Sequence, residues 1–173
     1  MWGIESVQRF LAIWCGQSRN FFYTLKGQLD TSEWEHMFAG MDHVGVAVKN
    51  LDEAIMIYRD ALGFKLLGVH VLVERKVKVA FLSSGGETQI ELLEPIESDS
   101  PIAKFLENHG EGIHHFAAKV DNIEQALEEY KKRGVALIDE QPKAGAEGKR
   151  IAFVHPKSTK GVLLELVESS EPC

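Results

Sequence analysis

The chain has 173 residues, 45% hydrophobic and 26% charged, which suits one globular domain or two half-domains sharing a sheet. A formal net charge of −7 argues against a nucleic-acid binder, which needs a basic footprint to displace counterions from phosphate. The longest apolar run near the start, Phe10 to Cys15, falls far short of the roughly 20 residues that span a bilayer, so no membrane partner is expected.

Cysteine is rare: Cys15 and Cys173 leave no room for a disulfide framework or a cysteine-based zinc site, and a reducing compartment is the expectation. Residues 1–40 stand apart from the rest. They hold Trp2, Trp14 and Trp34 and eight of the fifteen aromatic residues, without strand alternation. Three readings stay open: an extension upstream of a natural start at Met41, an aromatic packing arm or dimer element, or a mitochondrial presequence. The last draws on Glu5 as the only acid before Asp30, against Arg9, Arg19 and Lys26. The expected domain runs over 41–168, with modules of about 41–94 and 113–168 and a short tail at 169–173. The expected location is cytoplasmic, or the mitochondrial matrix if the leader is a presequence.

From Met41 the chain falls into regular units. His43-Val44-Gly45-Val46-Ala47-Val48 alternates with period two and predicts a strand. Asn50, with Glu53 three residues on, opens an amphipathic helix whose apolar face is 51, 54, 55 and 58, and Gly63 ends it. Strands are predicted at about 65–73, 77–82 and 88–93, and a short linking helix over 101–108. The pattern then restarts at an offset of 72: His115 to Val120 has the shape of the first strand, and Asn122 with Gln125 opens a helix whose apolar face is 123, 126, 127 and 130. Gly134 ends that helix, and strands are predicted at about 136–140, 150–154 and 162–167. The fold class is therefore α+β, two tandem βαβββ modules curling one mixed sheet around a central cleft.

The repeat puts chemistry at matching places. His43 and His115 head the first strand of each module, and Glu91 and Glu165 lie in the last strand of each, flanked by leucine. Strand parity puts Gly45 and Ala47 on the His43 face and Ala117 on the His115 face, small residues that leave room for an ion and a ligand. A carboxylate buried among leucines is costly unless paired. Two of them, each matched with a histidine, point to a divalent cation, and two imidazoles with two carboxylates suit Co2+, Ni2+, Zn2+, Mn2+ or Fe2+. A site of two histidines and one carboxylate would serve without Glu91. His36, His70, His109, His114 and His155 read as structural or surface residues.

These residues carry a resemblance to the vicinal oxygen chelate, or glyoxalase-like, superfamily, and within it to the methylmalonyl-CoA epimerases. It covers about residues 41–168. The carrying stretches are His43 to Leu51, Glu91-Leu92-Leu93-Glu94-Pro95, Asp99 to Ala103 with Phe105-Leu106, Gly112-Ile113-His114-His115, and His155-Pro156-Lys157 followed by Gly161 to Leu166.

The resemblance implies inversion at C2 of methylmalonyl-CoA through a metal-stabilised enolate. The implied ligands are His43, Glu91, His115 and Glu165, the implied ion is Co2+ (alternatives Ni2+, Mn2+ and Zn2+), and the implied assembly is a homodimer. It also implies a second catalytic carboxylate, which by position is Glu74, seventeen residues before Glu91, to work with Glu165 on opposite faces of the substrate. Lys143, Lys149, Arg150, Lys157 and Lys160 are available for the phosphates of an acyl-CoA. The competing readings are a glyoxalase I-type lactoylglutathione lyase, an extradiol dioxygenase using only His43, His115 and Glu165, and a small-molecule-binding protein without catalysis.

Overall fold

The computed structural model describes residues 37–168. The leader readings for residues 1–36 and the expected tail at 169–173 lie outside the described residues. No helix among the described residues is long and apolar enough to cross a membrane.

The first module runs β1 (Phe38–Ala47), α1 (Leu51–Met56), β2 (Lys65–Leu72), β3 (Val77–Ser83) and β4 (Gln89–Pro95). α2 (Pro101–His109) links it to β5 (Gly112–Val120), α3 (Ile123–Lys132), β6 (Lys143–Ala144), β7 (Arg150–Val154) and β8 (Leu163–Glu168). β1 thus begins at Phe38, earlier than the expected boundary at 41, and Phe38 is already in register with Val120 of β5.

The strands form one mixed sheet in the order β2-β3-β4-β1-β5-β8-β7-β6. β1 runs parallel to β4, and β5 parallel to β8, each pair bridged by the helix of its own module. β1 and β5 run antiparallel at the centre, which relates the modules by an approximate twofold.

The helices form where their caps and apolar stripes dictate. Asn50 accepts from the Glu53 N–H at 3.1 Å and Asn122 from the Gln125 N–H at 2.8 Å, each satisfying a free amide of the first turn. α1 buries Leu51, Ala54 and Ile55 against Ala80, Leu82 and Leu92. α3 buries Ile123, Ala126, Leu127 and Tyr130 against Ala152, Val154 and Leu166. These two clusters lie on one face of the sheet. Apart from them, Ala47, Val77, Val79, Phe81, Leu93 and Ile102 form a third cluster beneath α2. Buried Ser100 caps α2, accepting from the Ala103 N–H at 3.0 Å, with Pro101 pre-set for the first turn.

The copies differ in two places. The first helix widens into a π-helical turn over Ile57–Ala61, where the Leu62 N–H reaches the Ile57 carbonyl at 3.0 Å, while the second stays α-helical to Lys132. The strand expected at about 136–140 does not form. Leu137 makes an isolated bridge with Val154, and the Asp139 carboxylate accepts the Phe153 N–H at 2.9 Å, taking a ladder position with a side chain. The edge of the second module is instead the two-residue β6.

Candidate metal centre

Register alone brings the predicted donors together. On β1, Gly45 is paired on one side with Glu91 of β4 and on the other with His115 of β5. One step away, His43 is paired with Ala117 of β5, which is paired with Glu165 of β8. Directly paired residues share a face of the sheet. The four donors therefore project together from two adjacent rows across the four central strands.

All four are buried. The two imidazole Nε2 atoms face each other at 3.1 Å. Glu165 Oε2 lies 3.0 Å from His115 Nε2 and 3.5 Å from His43 Nε2. Glu91 Oε2 lies 3.4 Å from His43 Nε2 and 3.5 Å from His115 Nε2. Two donors each about 2.1 Å from one ion stand roughly 3.0–3.4 Å apart, for angles between a right angle and the tetrahedral angle. The donor set fits a divalent cation in spacing as well as in chemistry. His43, His115 and Glu165 form the tight group, each offering an atom within 4.8 Å of the others, and Glu91 approaches both imidazoles.

The electrostatics agree. Burial opposes charge on His43, but the carboxylates of Asp42, Glu165 and Glu91 outweigh it and raise the imidazole to about 11. His115 is raised in the same way, burial being outweighed by Glu165 and Glu91. Burial also opposes ionisation of the two acids. The imidazoles overcome it, lowering Glu91 to about 2 and Glu165 below the usual carboxylate range. The pocket thus holds anionic carboxylates balanced by protons on the imidazoles, and a divalent cation would take the place of those protons.

Each imidazole of the candidate centre is held from behind by the residue before it. Asp42 Oδ1 lies 2.8 Å from His43 Nδ1, and Lys149 Nζ lies 3.0 and 3.1 Å from the two Asp42 oxygens. Burial opposes the Asp42 charge, but His43 and Lys149 keep its carboxyl below the ordinary value. His114 Nδ1 lies 2.9 Å from His115 Nδ1. Burial and the adjacent His115 lower the His114 imidazole to about 4. The sequence pattern gives Asp42 no role and reads His114 as a structural or surface residue, although both stand at the same repeat offset directly before a candidate ligand. Phe81 and Phe153, also repeat equivalents, pack edge-on to His43 and His115 with ring centroids 6.4 and 6.0 Å apart.

The expectation for the small residues needs correcting at Gly45. Its space is taken by the His115 imidazole rather than left for a ligand: a Cβ there would stand 2.2 Å from His115 Cε1.

Beside the donors lies a cavity of about 20 Å3, room for one ion or water. Its walls include Arg75, Phe81, Ala146, Glu147 and Lys149. Glu74 is not among them. It is exposed in the one-turn helix Val73–Arg75, next to Arg75. The segment carrying Ala146 to Lys149 reaches from the second module onto the first. Ala146 packs on the cluster beneath α2, the Arg75 guanidinium donates to the Ala144 carbonyl, and Glu147 stands 3.9 Å from His70. Among the basic residues, Lys143 binds Asp139 at 2.9 Å, Arg150 pairs with Glu124 and Glu168, and Lys157 and Lys160 are exposed around the β7–β8 turn.

A family model described as the Glyoxalase/Bleomycin resistance protein/Dioxygenase superfamily matches residues 42–153. The chain belongs to this superfamily. Its tandem βαβββ modules and curled mixed sheet are the fold of the superfamily, and within it the chain closely matches methylmalonyl-CoA epimerases. A mouse protein named mitochondrial methylmalonyl-CoA epimerase is 40% identical over 149 residues, covering 86% of this chain and 83% of its own. The crystal structure of methylmalonyl-CoA epimerase from Mycobacterium tuberculosis superposes with a TM-score of 0.76 at 38% identity, covering 79% of this chain and 91% of the other. A methylmalonyl-CoA epimerase solved in complex with methylmalonyl-CoA and NH4+ superposes with a TM-score of 0.72 at 36% identity, covering 77% of this chain and 96% of the other.

Proposed function

We propose that this protein is an isomerase that interconverts (R)- and (S)-methylmalonyl-CoA by removing and returning the proton at C2. The observation that carries the reading is the convergence of His43, His115 and Glu165, with Glu91 alongside, in a chain similar to proteins named for this reaction. A divalent cation held there, with Co2+ as our choice and Ni2+, Mn2+ and Zn2+ as alternatives, supplies Lewis-acid polarisation of the thioester carbonyl.

The chain's own residues then move the proton. Inversion through a planar carbanion needs one group on each face, one removing a proton and the other delivering one. Glu165 is kept anionic by the imidazoles around it, and it takes or gives the proton on the substrate face turned toward it. Glu74, solvated beside Arg75, serves the opposite face and exchanges its proton with water. Arg75 and Lys149 bring positive charge to the cavity wall, suited to the substrate carboxylate. Lys157 and Lys160 are the candidates for the CoA phosphates. An exposed apolar row on the edge strand β2, Leu67, Val69 and Val71, supports a homodimer as the assembly.

The test is incubation of one C2 epimer with the Co2+-loaded protein in D2O. Deuterium entry at C2 with loss of chirality is the expected result, and no exchange overturns the reading.

A further inference from the structure

We propose that Asp42 and His114 are positioning residues that make the two imidazoles of the centre unequal, with His43 the anchor and His115 the labile ligand. The inference rests on the reading of His43 and His115 as metal ligands through their facing Nε2 atoms.

An imidazole that ligates through Nε2 keeps its proton on Nδ1, and that proton needs an acceptor. For His43 the acceptor is the Asp42 carboxylate at 2.8 Å, itself held by the Lys149 ammonium at 3.0 Å. For His115 it is His114 Nδ1 at 2.9 Å. To accept there, His114 must be neutral, with its own proton on Nε2.

The modules therefore offer the same contact with different chemistry, an anion in the first and a neutral ring in the second. A carboxylate acceptor raises imidazole basicity more than a neutral one, because it stabilises the positive charge that the ring gains on ligation. His43 is accordingly the stronger donor. The weaker donor, His115, is the imidazole nearer Glu165, at 3.0 Å against 3.5 Å for His43. Glu165 would have to loosen from a bound cation to carry a proton, and the weaker donor then lies in the half of the site that would give way.

The experiment is titration of the metal-free full chain with Co2+, followed by the visible d–d bands, for wild type, Asp42→Asn, His114→Leu and His114→Asn. Asp42→Asn is expected to weaken binding by roughly ten- to a hundredfold. His114→Leu weakens it less, and His114→Asn, whose amide oxygen can accept from His115, restores the wild-type affinity and spectrum. All variants binding like wild type, or His114→Asn binding no better than His114→Leu, overturns the assignment. If Asp42→Asn fails to fold, Asp42→Glu takes its place, with weaker binding expected and wild-type affinity counting against the role. A wild-type chain that binds no Co2+ sinks the metal reading instead, a separate result.

Discussion

Gly45 of β1 and His115 of β5 are direct partners in the sheet, and the imidazole lies where a side chain at 45 would project, with Cε1 2.2 Å from the Cβ position. Gly45→Ala must therefore displace His115 or push the central strands apart. The expected cost is about 1–3 kcal/mol of stability, as for other overpacked sites, together with loss of tight Co2+ binding. Thermal unfolding and metal titration check both. Wild-type affinity in this variant would mean that His115 is not held over Gly45.

Glu165 and Glu91 are both buried beside the imidazoles, but the proposed mechanism gives only Glu165 a proton to carry. Glu165→Gln keeps an oxygen for the cation and removes the base, so turnover should fall by roughly 10²–10⁴-fold with Co2+ still bound. Glu91→Gln should bind metal and retain activity within a few-fold of wild type. Steady-state kinetics on metal-loaded variants separates the two.

Glu74 is exposed and Glu147 lines the cavity, so the second proton carrier is open to direct assignment. Glu74→Gln should lose epimerisation while the epimer facing Glu165 still exchanges its C2 proton with D2O. Glu147→Gln should leave both rates within a few-fold. If the two phenotypes are reversed, Glu147 is the second carrier.

The site also sets a pH dependence on the metal-free protein. Glu91 is depressed from 4.5 to about 2, so its contribution to stability is present above 4.5 and lost as pH falls through 2. His43 is raised from 6.5 to about 11, so its contribution is full below 6.5 and lost as pH rises through 11. Urea unfolding midpoints should peak between these limits and fall on both sides. Added Co2+ competes with the imidazole protons of the folded chain, so the stabilisation it brings should grow as pH rises toward 11. A Co2+ effect that is flat with pH would mean that the imidazoles are not the groups displaced.

Legible in the residues alone were the repeat, the caps at Asn50 and Asn122 and the matched histidine and glutamate positions. Each is a local pattern or a match at a fixed offset, and strand parity then decides which side chains share a face. Contacts between segments far apart in the chain supplied the rest. The antiparallel pairing of β1 with β5 gave Gly45 its steric role, because His115 reaches that position only across the strand boundary. The fold of 144–149 onto the first module brought Lys149 to Asp42 and Glu147 to the cavity wall, through contacts that no periodicity encodes. The strand expected at about 136–140 does not form for the same reason: the Asp139 side chain takes a backbone amide of β7. Periodicity reports which way a side chain points, whereas its partners depend on which distant surface the fold brings up to it.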